Sequence, residues 1–142
     1  MYKYFDLSEL VCPHVHKAFG EMALSFFDPR LLETVLILRE HIDKSIYINN
    51  WMVHGEFSQR GFRCIKCSLV QDAIKAKKLY VSAHMTGQAV DFDVIDMNAE
   101  QVRQWIVTNQ NILPYNIRLE RDTSWTHLDV RSGEQKITIF NG

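Results

Sequence analysis

The chain has 142 residues, of which 46% are hydrophobic and 23% charged, and its 16 basic and 17 acidic side chains leave a formal net charge of -1. A chain of this length buries roughly two thirds of its unfolded surface and holds one core without disulfides, and the absence of any long block of like charge excludes an electrostatic footprint for nucleic acid. No run of about 18 apolar residues occurs, and the opening MYKYFDLSELVCPHVHKAFG has no apolar core ahead of a small-residue cleavage site. We therefore expect one domain over residues 1–142, made in the cytoplasm without a signal peptide, monomeric, and binding neither nucleic acid nor membrane.

In chain order, DPRLLETVLILREHI predicts a helix: Asp28 can cap, Pro29 suits the first helical position, and Leu31, Leu32, Val35, Leu38 and Ile42 recur at three- and four-residue steps. SIYINNW reads as a short strand ended by Asn49 and Asn50. Residues 52–80 are mixed and polar, and are expected as loop with a helical turn near LVQDAIKAKK. AVDFDVI is β-like and leads into MNAEQVRQWIVTNQ, where Asn98 and Gln101 form an Asn/Gln analogue of the capping box. The tail offers YNIRLER, WTHLDVR and KITIF, separated by DTS and SGEQ, as an expected antiparallel meander. Helices early and hairpins late predict an α+β fold, an antiparallel sheet with flanking helices.

The segment SAHMTGQAVDFDV places His84 seven residues before Asp91. Chance alone supplies about 0.4 such His/Asp pairs in a chain of this composition, so the spacing needs support from elsewhere. WTHLDVR provides it, because period-two alternation puts Trp125, His127, Asp129 and Arg131 on one strand face. A tight connection around Asp122 to Ser124 would pair that strand with the one carrying Glu120 and bring Glu120 close to whatever His127 binds. Two imidazoles and a carboxylate leave a fourth tetrahedral position open, as in a catalytic zinc site. Asp91 sits within an apolar run where an unpaired carboxylate is costly if buried, a cost that ligation removes. Asp93 and Asp129 either orient a ligand imidazole or face solvent.

Cys12, Cys64 and Cys67 are an odd number, which argues against a disulfide framework. CIKC with Cys12 and His14 or His16 amounts to half a zinc ribbon at irregular spacing, and we expect buried or half-buried reduced thiols there. Trp51, Trp105 and Trp125 suit core or groove-wall positions, with Trp125 the one sharing a face with His127.

SxHxxGxAxD at Ser82 to Asp91, followed by WxHxD at Trp125 to Asp129, resembles the zinc D-alanyl-D-alanine carboxypeptidase and L-alanyl-D-glutamate endopeptidase family, which shares its fold with the hedgehog signalling domain. The resemblance covers most of the chain. It implies one zinc ion per chain on His84, Asp91 and His127, with Gly87 and Ala89 small where the backbone runs close to the site. It further implies an arginine that contacts the substrate, Arg63 or failing that Arg60, with Ser82 and Trp125 also on the substrate side. Better-known members place a Glu three residues before the last His or a His two before it, and here those positions are Ser124 and Trp125. Phage and prophage members resemble this chain in having a strand ending in Glu, a short turn and then WxH, which makes Glu120 rather than Asp122 the expected base. The implied substrate is a peptidoglycan stem peptide, reached after release from the cell or as a phage component. Two other readings are a catalytically weak, zinc-stabilised cell-wall-peptide binding or phage structural module, and a non-peptidase zinc hydrolase with a narrow closed pocket.

Overall fold

A computed structural model describes residues 3–131 and 133–142, and its most regular element is the helix anticipated from DPRLLETVLILREHI. This is α3 (Pro29–Ile42), begun by Asp28, whose carboxylate accepts the Arg30 backbone N–H at 3.0 Å, and ended by Asp43 in the left-handed conformation. Leu31, Leu32, Val35 and Leu38 line its buried face. Two short helices precede it, α1 (Leu7–Leu10) and α2 (Pro13–Phe19), followed by a 3-10 segment, Gly20–Phe26.

After α3 the strand expected from SIYINNW is only β1 (Ile46–Tyr47). Its asparagines do more than end it. Asn49 accepts the Arg60 N–H at 2.9 Å and donates to the Val11 carbonyl at 3.2 Å, while Asn50 accepts the Phe57 N–H at 2.8 Å. These bonds fold the polar stretch that follows back onto the N-terminal helices. Within that stretch the helical turn expected near LVQDAIKAKK is α4 (Ser68–Lys75).

β2 (Ala89–Val94) leads into α5 (Ala99–Thr108), and the Asn98/Gln101 box closes in both directions, at 2.8 and 2.9 Å. The chain ends in β3 (Ile117–Glu120), β4 (Thr126–Asp129) and β5 (Ile137–Phe140). The sheet order is β1-β2-β4-β3-β5. The fold is α+β, but the sheet is mixed where the sequence predicts an antiparallel one: β5 runs parallel to β3, and the expected meander is broken. The reason is occupancy. β2 holds the outer edge of β4, so β5 must pass the end of β3 and dock on its free edge, arriving in β3's direction.

Because side chains alternate along a strand, one sheet face presents Val90, Phe92, Val94, Leu119 and Leu128 to a buried cluster that includes Val102 and Ile106 of α5 and Leu31 and Val35 of α3. The opposite face carries Asp91, Arg118, Glu120, His127 and Asp129. No helix among the described residues is long and apolar enough to cross a membrane.

Candidate metal centre

Register brings the polar face together. Asp91 on β2 lies directly opposite His127 on β4, and Ala89 opposite Asp129; Arg118 on β3 also lies opposite Asp129. Extending the β3–β4 register by one residue sets Glu120 against His127, as the hairpin argument predicts. His84 enters from the preceding turn, whose geometry depends on Gly87. That residue has φ +69°, and a Cβ there would overlap the Phe26 carbonyl. The smallness required at Gly87 therefore comes from the close approach of residues 26–28, whose Asp28 N–H donates to the Gly87 carbonyl at 2.9 Å.

His84, Asp91 and His127 are all buried, and one donor atom from each lies within 4.8 Å of the others. Asp91 stands between the imidazoles, with Oδ1 2.8 Å from His127 Nδ1 and Oδ2 3.3 Å from His84 Nε2. The far nitrogen of each ring is also engaged: His84 Nδ1 lies 3.0 Å from the Gly61 carbonyl and His127 Nε2 3.0 Å from Asp129 Oδ2. Asp129, fully buried, is in turn gripped by Arg118 through two bonds of 2.8 and 2.9 Å and accepts the Arg131 N–H at 3.0 Å. Such outer contacts are what a ligating imidazole needs, since an acceptor on the far nitrogen fixes its tautomer and orientation.

Charge reinforces the arrangement. Burial alone would raise the Asp91 pKa, but hydrogen bonds from His127 and His84 hold it well below the usual carboxylate range. Burial pulls His127 down, and the bonds to Asp129 and Asp91 outweigh it and lift its pKa to about 9. Asp129 is lowered against its own burial by His127 and Arg118. Without an ion, then, His127 is a cation between two carboxylates. A divalent cation bound at Nδ1 would replace the proton facing Asp91 and leave the Nε2 proton on Asp129.

The cluster opens on a groove of about 460 Å³ whose lining includes Arg63, Ser82, Glu120, Trp125 and Arg131. Arg63 is buried, its Nη2 3.9 Å from Asp91 Oδ2, with the guanidinium held by the Gln59 carbonyl and the Tyr80 hydroxyl. Arg60 is directed differently, to Asp93 at 2.6 Å and over the Phe57 ring, and Asp93 reaches no imidazole. The Ser82 hydroxyl accepts the His84 N–H at 3.1 Å, which shapes the turn leading into His84. Asp122 lines a separate cavity with Glu100, Arg103 and Arg121, one that His84, Asp91 and His127 do not line.

Three participants escape the motif-based reading. Arg118 shares a face with Glu120 by the same alternation that places His127 on the polar face, so YNIRLER already holds the signal. Gly61 acts through its backbone. Arg103, buried on α5, donates to the Thr123 and Trp125 carbonyls at 3.2 and 3.3 Å and so clamps the β3–β4 turn that positions Glu120 and Trp125.

A second group gathers elsewhere: Cys12, His14, Cys64 and Cys67 also offer ligand atoms that lie within 4.8 Å of one another. Among the described residues, two groups could thus bind a metal ion. The thiols are free, as expected, but they are assembled with an imidazole and not isolated. His16 stands apart, packed edge-on against Trp51. Comparison of the chain with models of known protein families, with curated proteins and with solved structures finds no match.

Proposed function

We propose that the chain is a zinc-dependent peptidase of hedgehog-like fold that hydrolyses an amide bond in peptidoglycan stem peptides, as a D,D-carboxypeptidase or an L-alanyl-D-glutamate endopeptidase. The observation that carries this reading is the convergence of His84 Nε2, an Asp91 oxygen and His127 Nδ1, each imidazole braced from behind, on the floor of an open groove. Two nitrogens and one oxygen at this spacing suit zinc with a coordination position to spare.

Zinc held there supplies a Lewis acid that polarises the scissile carbonyl and lowers the pKa of water. Glu120 on the same sheet face takes the proton of the attacking water and returns it to the leaving amine. Arg63, fixed by Gln59 and Tyr80, presents its positive charge where the carbonyl oxygen becomes negative, an effect strongest in a buried site. Trp125, at the groove wall, packs against the peptide. Three arginines and three carboxylates line the groove. A bound dication leaves it net positive, which favours a substrate bearing carboxylates, as stem peptides do.

One contact favours the second reading, a zinc-stabilised module that binds cell-wall peptide without cutting it. Gly142 packs so closely on the Glu120 carboxylate that a Cβ there would overlap it. Incubating zinc-loaded protein with defined muropeptides and following products by mass spectrometry separates the two. We expect cleavage that Glu120→Gln slows by about 10²- to 10⁴-fold; zinc and peptide binding with no product would leave the binding module. A lysis enzyme released through the membrane, or a component of a phage particle, accounts for a wall substrate.

A further inference from the structure

We propose that Cys12, His14, Cys64 and Cys67 form a second, structural zinc site that staples the N-terminal helices to the loop backing the groove. The inference does not depend on the peptidase reading, because it rests on different residues and a different kind of site.

The four side chains converge from two segments as a tetrahedral ligand set does. Cys64 Sγ lies 3.5 Å from His14 Nδ1 and 4.0 Å from Cys67 Sγ, and Cys67 Sγ lies 3.9 Å from His14 Nδ1. With zinc–sulfur and zinc–nitrogen bonds of about 2.3 and 2.0 Å, the edges of a tetrahedron are roughly 3.5 to 3.8 Å. These three edges need to close by at most a few tenths of an ångström, and Cys12 Sγ lies within 4.8 Å of the other three ligand atoms. Three soft sulfurs and an imidazole select zinc over magnesium or calcium, and four protein ligands leave no open position, the mark of a structural and not a catalytic site.

The surroundings fit the same role. Cys12 and Cys67 are buried, Cys64 is half-buried and His14 is exposed, so an ion would be enclosed on its protein side and reachable through His14. Cys-x-x-Cys closes a tight turn, with the Cys67 N–H on the Cys64 carbonyl at 3.0 Å and the Lys66 N–H donated to Cys64 Sγ at 3.3 Å, a bond that favours a thiolate. Phe62 exchanges backbone bonds with the N-terminal segment, donating to the Leu10 carbonyl at 2.8 Å and accepting from Cys12 at 3.2 Å. That pairing is what brings the two halves of the ligand set together.

The stapled loop is also the back wall of the other centre. The Arg60 carbonyl accepts the Asp91 N–H at 2.7 Å, the Gly61 carbonyl faces His84 Nδ1, and the Arg63 N–H donates to the His84 carbonyl at 3.2 Å. Arg63 adjoins Cys64 in sequence. An ion on the thiolates therefore fixes the backbone that positions two of the three ligands of the sheet and its buried arginine.

The test is metal content and spectroscopy on the full chain purified under reducing conditions. We expect two zinc ions per chain by native mass spectrometry, one in His127→Ala and one in a Cys64→Ser/Cys67→Ser variant. Cobalt replacement should add an intense thiolate-to-cobalt charge-transfer band that His127→Ala keeps. Should the cysteine variant fail to fold, thiol labelling of the wild-type chain decides: all three cysteines protected until a chelator is added supports the site. Full labelling of the metal-replete chain, a Cys64–Cys67 disulfide, or cobalt-loaded protein without the band would overturn it.

Discussion

The two ligand clusters are built on opposite principles. His84, Asp91 and His127 are held by the protein itself: two sit on paired strands, each touches another, and Gly61 and Asp129 secure the rings from outside. The cysteine cluster joins two segments remote in sequence, and its side chains face one another at 3.5 to 4.0 Å, with the Lys66 N–H on Cys64 Sγ as a further contact. A site with preformed shape and three ligands is suited to chemistry on an exchangeable position, whereas one with four ligands and little independent support is suited to gaining its shape from the ion. Loss of metal should then have different consequences at the two places, and the predictions below test that asymmetry.

The largest expected effect is kinetic and confined to the sheet. On the proposed mechanism, Glu120→Gln would remove the proton acceptor while keeping side-chain volume, and should lower kcat by about 10²- to 10⁴-fold. Zinc content and thermal stability should stay at wild-type values. An equal fall in zinc content would show that Glu120 helps hold the ion and does not serve as base.

Next in size is the cost of emptying the cysteine cluster. A ligand present at about 1,000 times its dissociation constant stabilises the folded state by about 4 kcal/mol, which for a domain of this size is on the order of 10 °C in melting temperature. Chelation should lower the melting temperature of wild type and of His127→Ala by similar amounts, and that of Cys64→Ser/Cys67→Ser far less. Calorimetry that finds the larger drop tied to His127 would reverse the assignment of roles.

The acid–base behaviour of the metal-free sheet cluster gives a third contrast. The pKa of His127 is raised from its ordinary 6.5 to about 9, so its ion pairs contribute stability fully below pH 6.5 and lose it as pH rises through 9. The magnitude is about 3 kcal/mol, read as the difference in urea stability between metal-free wild type and metal-free His127→Gln across that window. On the acid side the same pairs weaken as pH falls through the lowered carboxylate range of Asp91 and Asp129. Zinc-loaded protein should not show the alkaline loss, because an imidazole that ligates is already neutral. Zinc affinity at this centre should instead rise towards pH 9, as the ion ceases to compete with the His127 proton.

What the sequence revealed followed the range of the interactions involved. The Asp28 cap with Pro29, the Asn98/Gln101 box and the alternation of WTHLDVR are local, and each has its counterpart in the structure. The position of β5 depends on β2 having already taken the outer edge of β4, a relation that KITIF does not contain. Likewise CIKC shows its own spacing, but Cys12 lies fifty-two residues before Cys64 and reaches it only through the pairing of Val11 with Phe62. Asp93 and Asp129 looked equivalent as partners for a ligand imidazole. Arg60 engages one, while Arg118 directs the other towards His127.

Asp129 also supplies the smallest predicted effect, and the one that best isolates the preformed centre. Its carboxylate binds His127 Nε2 and two nitrogens of Arg118 without contributing a ligand atom to the cluster. Asp129→Asn keeps the shape but weakens the acceptor facing the imidazole and leaves Arg118 short of a charge partner. Zinc affinity at the sheet should fall about 10- to 100-fold, the usual consequence of losing such an outer contact, while the charge-transfer band of cobalt on the cysteines stays at full intensity. A simultaneous loss of both ions would mean that the two centres form one cooperative unit through residues 60–64. Loss at the sheet alone would show that the cysteine centre holds its ion independently of Asp129.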